Sequence, residues 1–347
     1  IINLSAAMKV RTVCLSIIIG LFALSCKNQK EVNGQNKEKE VAYETSNRGI
    51  YHWKTTFDLT HEDTTFLNRH GITRLYVRMF DVGMERNEST DSLEVVPLGT
   101  TRFISRIPAQ CDYIPTVYIT LKALKAYNGR ESDLADLIIQ RIYAMCSWNE
   151  LGKFDEVQYD CDWTAETKAS FERLCSYSKR MLERNHIILS GTIRLHQIEE
   201  ATYPFDKGVL MIYNTGSFAN PQTKNSIIDY DDVYKYLSVQ GRIDRFKKAR
   251  KENCPHIEMA YPTYGWGVLF DDEGRFRALV TDKEACLLSQ SRKENIRIES
   301  SEYEEVVKVK ELVDNAFGEI SCGNVIYHLD ANNLSKYESH EIENILN

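Results

Sequence analysis

From residue 49 onward, short apolar runs alternate with longer segments whose apolar positions recur every three or four residues. The short runs predict strands over 49–53, 74–81, 113–120, 156–162, 187–194, 208–214, 256–261 and 324–330. The longer segments predict helices between them. Residues 132–148 carry Leu134, Leu137, Ile138, Ile142 and Met145 at helical spacing, and 164–185 does the same with Phe171, Leu174, Met181 and Leu182. Residues 60–70 read as a helix capped by Thr60, with Asp63 at the third position. A shorter helix is expected over 226–237. Eight strands alternating with helices fit one (β/α)₈ barrel of TIM type, an α/β fold occupying 49–347. Residues 85–105 and 271–321 break the alternation, and the second stretch is expected to hold the last helix and an insertion. An open doubly wound sheet is the alternative, but no Gly-rich phosphate loop supports it.

Before the barrel, the pattern changes twice. Met8 is followed by Lys9 and Arg11, then by an apolar run from Val13 to Leu24, then by Ser25 and Cys26. A basic start, a short apolar core and a small residue before the cut predict a secretory signal over 1–26. Residues 27–48 are polar and mixed in charge, which suits a flexible tether. Ala23-Leu24-Ser25-Cys26 resembles the lipobox of bacterial lipoproteins. That resemblance implies lipidation of Cys26 and attachment to a membrane in the cell envelope, at the periplasmic or the surface face of an outer membrane. The combination resembles lipoproteins of Bacteroidota. An ordinary cleaved signal with an incidental cysteine is the alternative.

Composition narrows the classes further. The 347 residues are 43% hydrophobic and 27% charged, which excludes a disordered chain. Asp plus Glu number 50 against 43 Lys plus Arg, a net charge of −7. An acidic chain with no long basic run is a poor partner for nucleic acid. Of nine cysteines, Cys14 and Cys26 lie in the signal. The remaining seven are an odd number with no CxxC pair, so they read as small buried apolar residues. Unpaired cysteines in an exported protein point to a reducing or anaerobic habitat.

Barrel chemistry gathers where strands end. In the fourth strand, Gln158, Asp160 and Asp162 share one face, and Val157, Tyr159 and Cys161 share the other. The apolar face suits the helices, which turns both carboxylates into the mouth. Two residues apart in a strand is roughly 6.6 Å. At that distance and an effective dielectric near 20, the two charges repel by roughly 2.5 kcal/mol. One Asp should therefore hold its proton unless cations compensate, and Arg78 and Arg194 are the candidate cations.

The segment QYDCDWT, from Gln158 to Thr164, resembles the DxxDxDxE strand of glycoside hydrolase family 18, the chitinase-like barrels. MIYN (211–214), YPTYGWG (261–267) and VIYHLDANN (325–333) resemble that family's sixth, seventh and eighth strand segments, in the family's order. The resemblance implies a saccharide site, with Asp162 and Tyr213 handling an acetamido group. Asp160, Asp162, Tyr213 and Glu166 are then the candidate catalytic residues. Departures are equally informative. The family's general acid falls on Thr164, its sixth-strand Asp on Asn214 and its last-strand Trp on Tyr327. A hydroxyl cannot protonate a glycosidic leaving group at neutral pH, and Glu166 substitutes only if its loop bends inward.

Trp53, Trp163 and Trp266, with Tyr213, Tyr261, Tyr264 and Tyr327, fall at strand ends, and flat rings suit the apolar faces of sugars. Arg78, Asp81, Arg194, His196, Asn214 and Asp330 complete the expected polar lining. No cofactor and no catalytic metal are expected, since the first strand offers only His52 where metal-dependent hydrolases often carry HxH. Three functions stay open: an oligosaccharide-binding barrel with weak or no hydrolysis, an active glycosidase with a displaced acid, and a structural or partner-binding lipoprotein.

Overall fold

The computed structural model describes residues 48–347, apart from 200–202, 255, 292–294 and 319. The signal, Cys26 and nearly all of the tether lie outside the described residues. Eight strands form the barrel: β1 (Arg48–His52), β2 (Ile72–Arg86), β3 (Asp112–Ile119), β4 (Glu156–Asp160), β5 (Ile188–Arg194), β6 (Lys207–Met211), β7 (His256–Pro262) and β8 (Ser321–Tyr327). Each pairs in parallel with the next, and β8 returns to β1 through Gly49↔Val325, Ile50↔Ile326 and Tyr51↔Tyr327. The sheet is therefore closed, as the alternation of the sequence predicts.

Helices cover the outside. In Glu131–Trp148, Leu134, Ile138, Ile142 and Met145 are buried, but Leu137 is exposed at the edge of the expected stripe. Helix Lys168–Leu182 covers β4, where the Tyr159 hydroxyl meets Ser178 Oγ at 2.8 Å. That contact confirms the outward face of the strand. Helix His61–Arg69 begins in the expected capping box: Thr60 Oγ1 accepts the Asp63 amide at 3.1 Å, and Asp63 Oδ2 accepts the Thr60 amide at 3.0 Å. Cys111, Cys146, Cys161, Cys175 and Cys254 are buried, whereas Cys286 is exposed and Cys322 half-buried, contrary to expectation. No described helix is long and apolar enough to cross a membrane.

The two stretches that broke the alternation are additions at the mouth end. Strand β2 runs on to Arg86 and folds back as Leu93–Leu98, with Asp81 opposite Leu98. After β7, residues 265–300 form a separate antiparallel sheet, with Gly265–Phe270 between Phe276–Thr281 and Asn295–Ser300, and the helix Asp282–Ser291. The chain then resumes with helix Tyr303–Phe317, the last before β8. The insertion therefore begins six residues earlier than the sequence indicated, and it is largely a sheet.

Inside the barrel, below the mouth, the filling is charged. Arg74 and Lys207 face Glu156 and Glu258, and all four are nearly fully buried. Lys207 Nζ lies 3.1 Å from Glu258 and 3.5 Å from Glu156. The Tyr76 hydroxyl donates to Glu258 at 2.7 Å and also meets Arg74. Two cations and two anions compensate, the condition for burying charge at tolerable cost. Tyr76 stacks on Tyr51 with centroids 4.5 Å apart, and Tyr51 donates to Gln158 at 2.8 Å. This stack links the charged floor to the mouth.

Candidate functional site at the barrel mouth

Strands β4 and β5 place the central group. Period two turns Asp160 inward beside Thr192 and Arg194. Thr192 Oγ1 donates to Asp160 at 2.6 Å, and Arg194 Nη2 donates to the same oxygen at 3.1 Å. Arg194 Nε donates to Asp162, whose side chain remains 43% exposed. The Tyr118 hydroxyl approaches Asp162 at 3.5 Å, and the Arg194 guanidinium lies over the Tyr213 ring at 5.7 Å. One arginine thus bridges both carboxylates, as one of the two expected cations. Burial raises the Asp160 carboxyl above its usual range, against the pull of Arg194, and Asp162 adds to the rise. We expect an infrared titration to show an Asp carboxyl with a midpoint above the ordinary value of about 3.9, absent in Asp160→Asn. Titration of every Asp at the ordinary value would contradict this arrangement.

A bulge explains Arg78 and Asp81. The β2–β3 register shifts between Arg78 and Phe80, so one extra residue lets Arg78 and Asp81 share the inner face despite their odd spacing. Arg78 Nε donates to Asp81 at 3.1 Å, and Nη1 donates to the Gly99 carbonyl at 2.7 Å. Gly99 has φ +51°, and a Cβ there would sit 2.5 Å from Arg78 Nη2. Only glycine suits both demands. Arg78 is therefore committed to Asp81 rather than to the β4 pair.

Aromatic rings wall the mouth. Tyr213 stacks on Tyr327 at 4.6 Å, and Trp53 packs against Tyr327 at 6.0 Å. With Thr55, Tyr118 and the charged residues above, they enclose about 440 Å³. A second cavity of about 1110 Å³ lies against the insertion and shares Tyr213, Asn214 and Tyr327 with the first. Tyr264 donates to Asn214 at 2.8 Å there, and Trp266 Nε1 donates to buried Glu299 at 2.8 Å. Asp330 lies at its edge, capping helix Ala331–Leu334 and paired with Lys54 at 2.8 Å. His328 also lines this cavity, and burial lowers its pKa to about 4, so it is neutral at pH 7.

Several expected residues lie elsewhere. Trp163 is 1% exposed and stacks on Phe171, because it shares the helix-facing side with Cys161. Tyr261 is buried on the outer face of β7, near Asp314 of helix Tyr303–Phe317. Neither ring reaches the mouth. His196 sits exposed in the turn Leu195–Glu199 after β5. Glu166 is exposed and pairs with Lys125 at 2.7 Å, outside both cavities, so its loop does not bend inward. Thr164 is exposed in the same loop, its amide held by Thr167 Oγ1 at 3.0 Å. Sequence reading missed Tyr118 and Thr55, although Tyr118 lies at a strand end and could have been found by the same rule. Among the described residues, no group of three or more His, Cys, Asp or Glu side chains is placed to hold a metal ion.

No family model matches the sequence, and no curated protein matches it. Solved structures do resemble it. The GH18 chitinase ChiB of Flavobacterium johnsoniae aligns at 14% identity over 86% of this chain and 93% of that chain, with TM-score 0.51. A chitinase from Chromobacterium violaceum aligns at 11% identity over 86% and 98%, with TM-score 0.50. The Bacillus cereus spore cortex-lytic enzyme SleL aligns at 14% identity over 86% and 74%, with TM-score 0.50. At these identities the likeness is one of fold, and the chain shares the closed eight-stranded α/β barrel of glycoside hydrolase family 18 proteins.

Proposed function

We propose that the mouth binds an N-acetylated or related oligosaccharide and cleaves it poorly or not at all. The observation that carries this reading is the state of the carboxylates around an open, ring-walled cavity. Asp160 is buried and accepts from both Thr192 and Arg194, Asp162 is bridged by Arg194, and Asp81 is held by Arg78. Thr164 stands where the resembling family has its acid, and Glu166 is tied to Lys125. Among the described residues, Asp81, Asp160 and Asp162 at the mouth are each engaged by an arginine, which disfavours proton donation to a leaving oxygen, a step typically worth about 10²–10⁴-fold. Half-exposed Asp162, with Trp53 and Tyr327, offers the polar edge and flat faces that a sugar needs.

Calorimetry against a glycan panel, with product analysis in the same tubes, tests both halves. Trp53→Ala should weaken binding by about 1–3 kcal/mol through lost ring contact. Rapid hydrolysis by the native protein would instead support a glycosidase that uses Asp160 or Asp162, a reading favoured by the raised Asp160 carboxyl. The open mouth speaks against a purely structural role.

The anchor belongs to the same proposal. The lipobox-like Ala23–Cys26 supports a lipoprotein of the bacterial envelope, attached through Cys26 to the outer membrane and presenting the barrel to glycans. Cys26→Ser should move the protein from the membrane to the soluble fraction, and unchanged fractionation would contradict the anchor.

A further inference from the structure

The charges that line the mouth do not reach its surface equally. Three carboxylates and two guanidiniums line it: Asp81, Asp160 and Asp162 against Arg78 and Arg194. The cations lie behind the anions. The Arg78 side chain is 9% exposed and that of Arg194 15%, whereas Asp81 is 27% exposed and Asp162 43%. Only Asp160 among the three carboxylates is itself buried. Lys54, between the lining residues Trp53 and Thr55, is held by Asp330 at 2.8 Å. A ligand in the mouth therefore meets carboxylate oxygen before it meets guanidinium.

Asp162 holds the open acceptor. Its Oδ1 takes the Arg194 Nε. Among the described residues, its Oδ2 is met only by the Tyr118 hydroxyl at 3.5 Å, long for a bond between oxygens. Asp81, by contrast, gives Oδ1 to Arg78 Nε at 3.1 Å and Oδ2 to Arg78 Nη2 at 2.8 Å. The half-buried rings of Trp53, Tyr118 and Tyr327 line the same space. Ring faces attract cations, that of Trp most strongly.

A hydroxyl or an acetamido N–H would offer Asp162 a neutral donor. An ammonium would offer a charge-assisted bond, roughly twice as strong, and would draw on the rings as well. A sugar bearing a carboxylate or sulfate would be repelled by Asp81 and Asp162. The family resemblance assigns an acetamido group to Asp162, but the open charge of its Oδ2 suits a free amine better.

We propose that the mouth selects a 2-amino-2-deoxy sugar whose amine is free, its ammonium on Asp162 Oδ2, within a partly or fully de-N-acetylated oligosaccharide. This rests on the carbohydrate reading of the mouth and names the charged member of the sugar class given there.

The test is calorimetry on the purified protein at about pH 6, below the ordinary range of amines. Four probes are compared: the fully de-N-acetylated and the fully N-acetylated β-1,4-linked tetramers of glucosamine, cellotetraose, and spermine, which carries four amines and no sugar. The de-N-acetylated tetramer should bind at least about 10-fold tighter than each of the other three. Raising the salt from about 0.1 M to about 1 M shortens the Debye length from about 10 Å to about 3 Å and should narrow that preference. Asp162→Asn should bring the affinity ratio of the two glucosamine tetramers to about one, with a circular dichroism melt to verify the fold. Equal or tighter binding of the N-acetylated tetramer by the native protein would overturn the proposal and leave the sugar reading intact. A preference that survives Asp162→Asn would also overturn it, because charge elsewhere on the acidic surface would then carry it. Should that variant fail to fold, the native protein still decides: a preference unchanged at the higher salt would overturn the proposal. So would spermine binding as tightly as the de-N-acetylated tetramer. Absence of binding by every tetramer would overturn the sugar reading and the proposal together.

Discussion

Glu258→Ala should cost about 3–5 kcal/mol of folding stability, the range for breaking a buried ion pair by removing one partner. The substitution leaves Arg74 and Lys207 with Glu156 alone, inside a barrel where Lys207 is 1% exposed. Urea denaturation would measure the loss, and a cost below about 1 kcal/mol would mean that water reaches the cluster. The same group predicts a pH dependence. Burial alone would raise the Glu258 carboxyl, but Lys207 and Arg74 outweigh it and lower the value to about 2 from an ordinary 4.5. A depressed carboxyl stabilises the fold above its unfolded value. That contribution, about 3 kcal/mol, should be present above pH 4.5 and disappear as pH falls toward 2. In Glu258→Gln the decline over this window should be shallower than in the native protein.

Arg194→Met should weaken glycan binding by about 10-fold or more, because the group that holds Asp160 and Asp162 in place at the mouth is lost. Arg194 is the single group bridging Asp160 and Asp162, and it also lies over Tyr213. Without it two carboxylates face each other, and the Asp160 carboxyl should rise further. Calorimetry reads the first effect and the infrared carboxyl band reads the second. Arg194→Lys keeps the charge but cannot bridge two acceptors through one planar fork, so it should restore only part of the affinity. Unchanged binding in Arg194→Met would place the ligand elsewhere.

These two sites were unequally legible in the sequence. The Asp160–Asp162–Arg194 group was readable because strand periodicity is local: two residues of one strand and one from its neighbour suffice. The same periodicity, carried two residues further, places Trp163 with Cys161 on the helix side. Treating every strand-end ring as a mouth residue overrode it, and Tyr261 failed for the same reason. The charged floor was not readable. Arg74, Glu156, Lys207 and Glu258 come from β2, β4, β6 and β7, and each alone looks like a polar residue at a strand's exposed start. Only closure of the barrel brings them together. The odd spacing of Arg78 and Asp81 depends on a bulge that no local pattern announces. Glu166 needed the position of Lys125, in the helix Leu121–Ala126, to be seen facing away.

The insertion leaves and re-enters the barrel at one point. The Ser301 amide donates to the Tyr264 carbonyl at 3.1 Å, and the Ser301 hydroxyl donates to the same oxygen at 2.8 Å. Thirty-six residues, 265–300, are thus spliced between two positions already in contact. Segments whose ends meet can be exchanged with little strain on their host. This one behaves as a cassette: its length and lining can change over evolution while the strand register stays fixed. Selection on what lies beside the sugar can therefore proceed without reopening the problem of how the barrel folds.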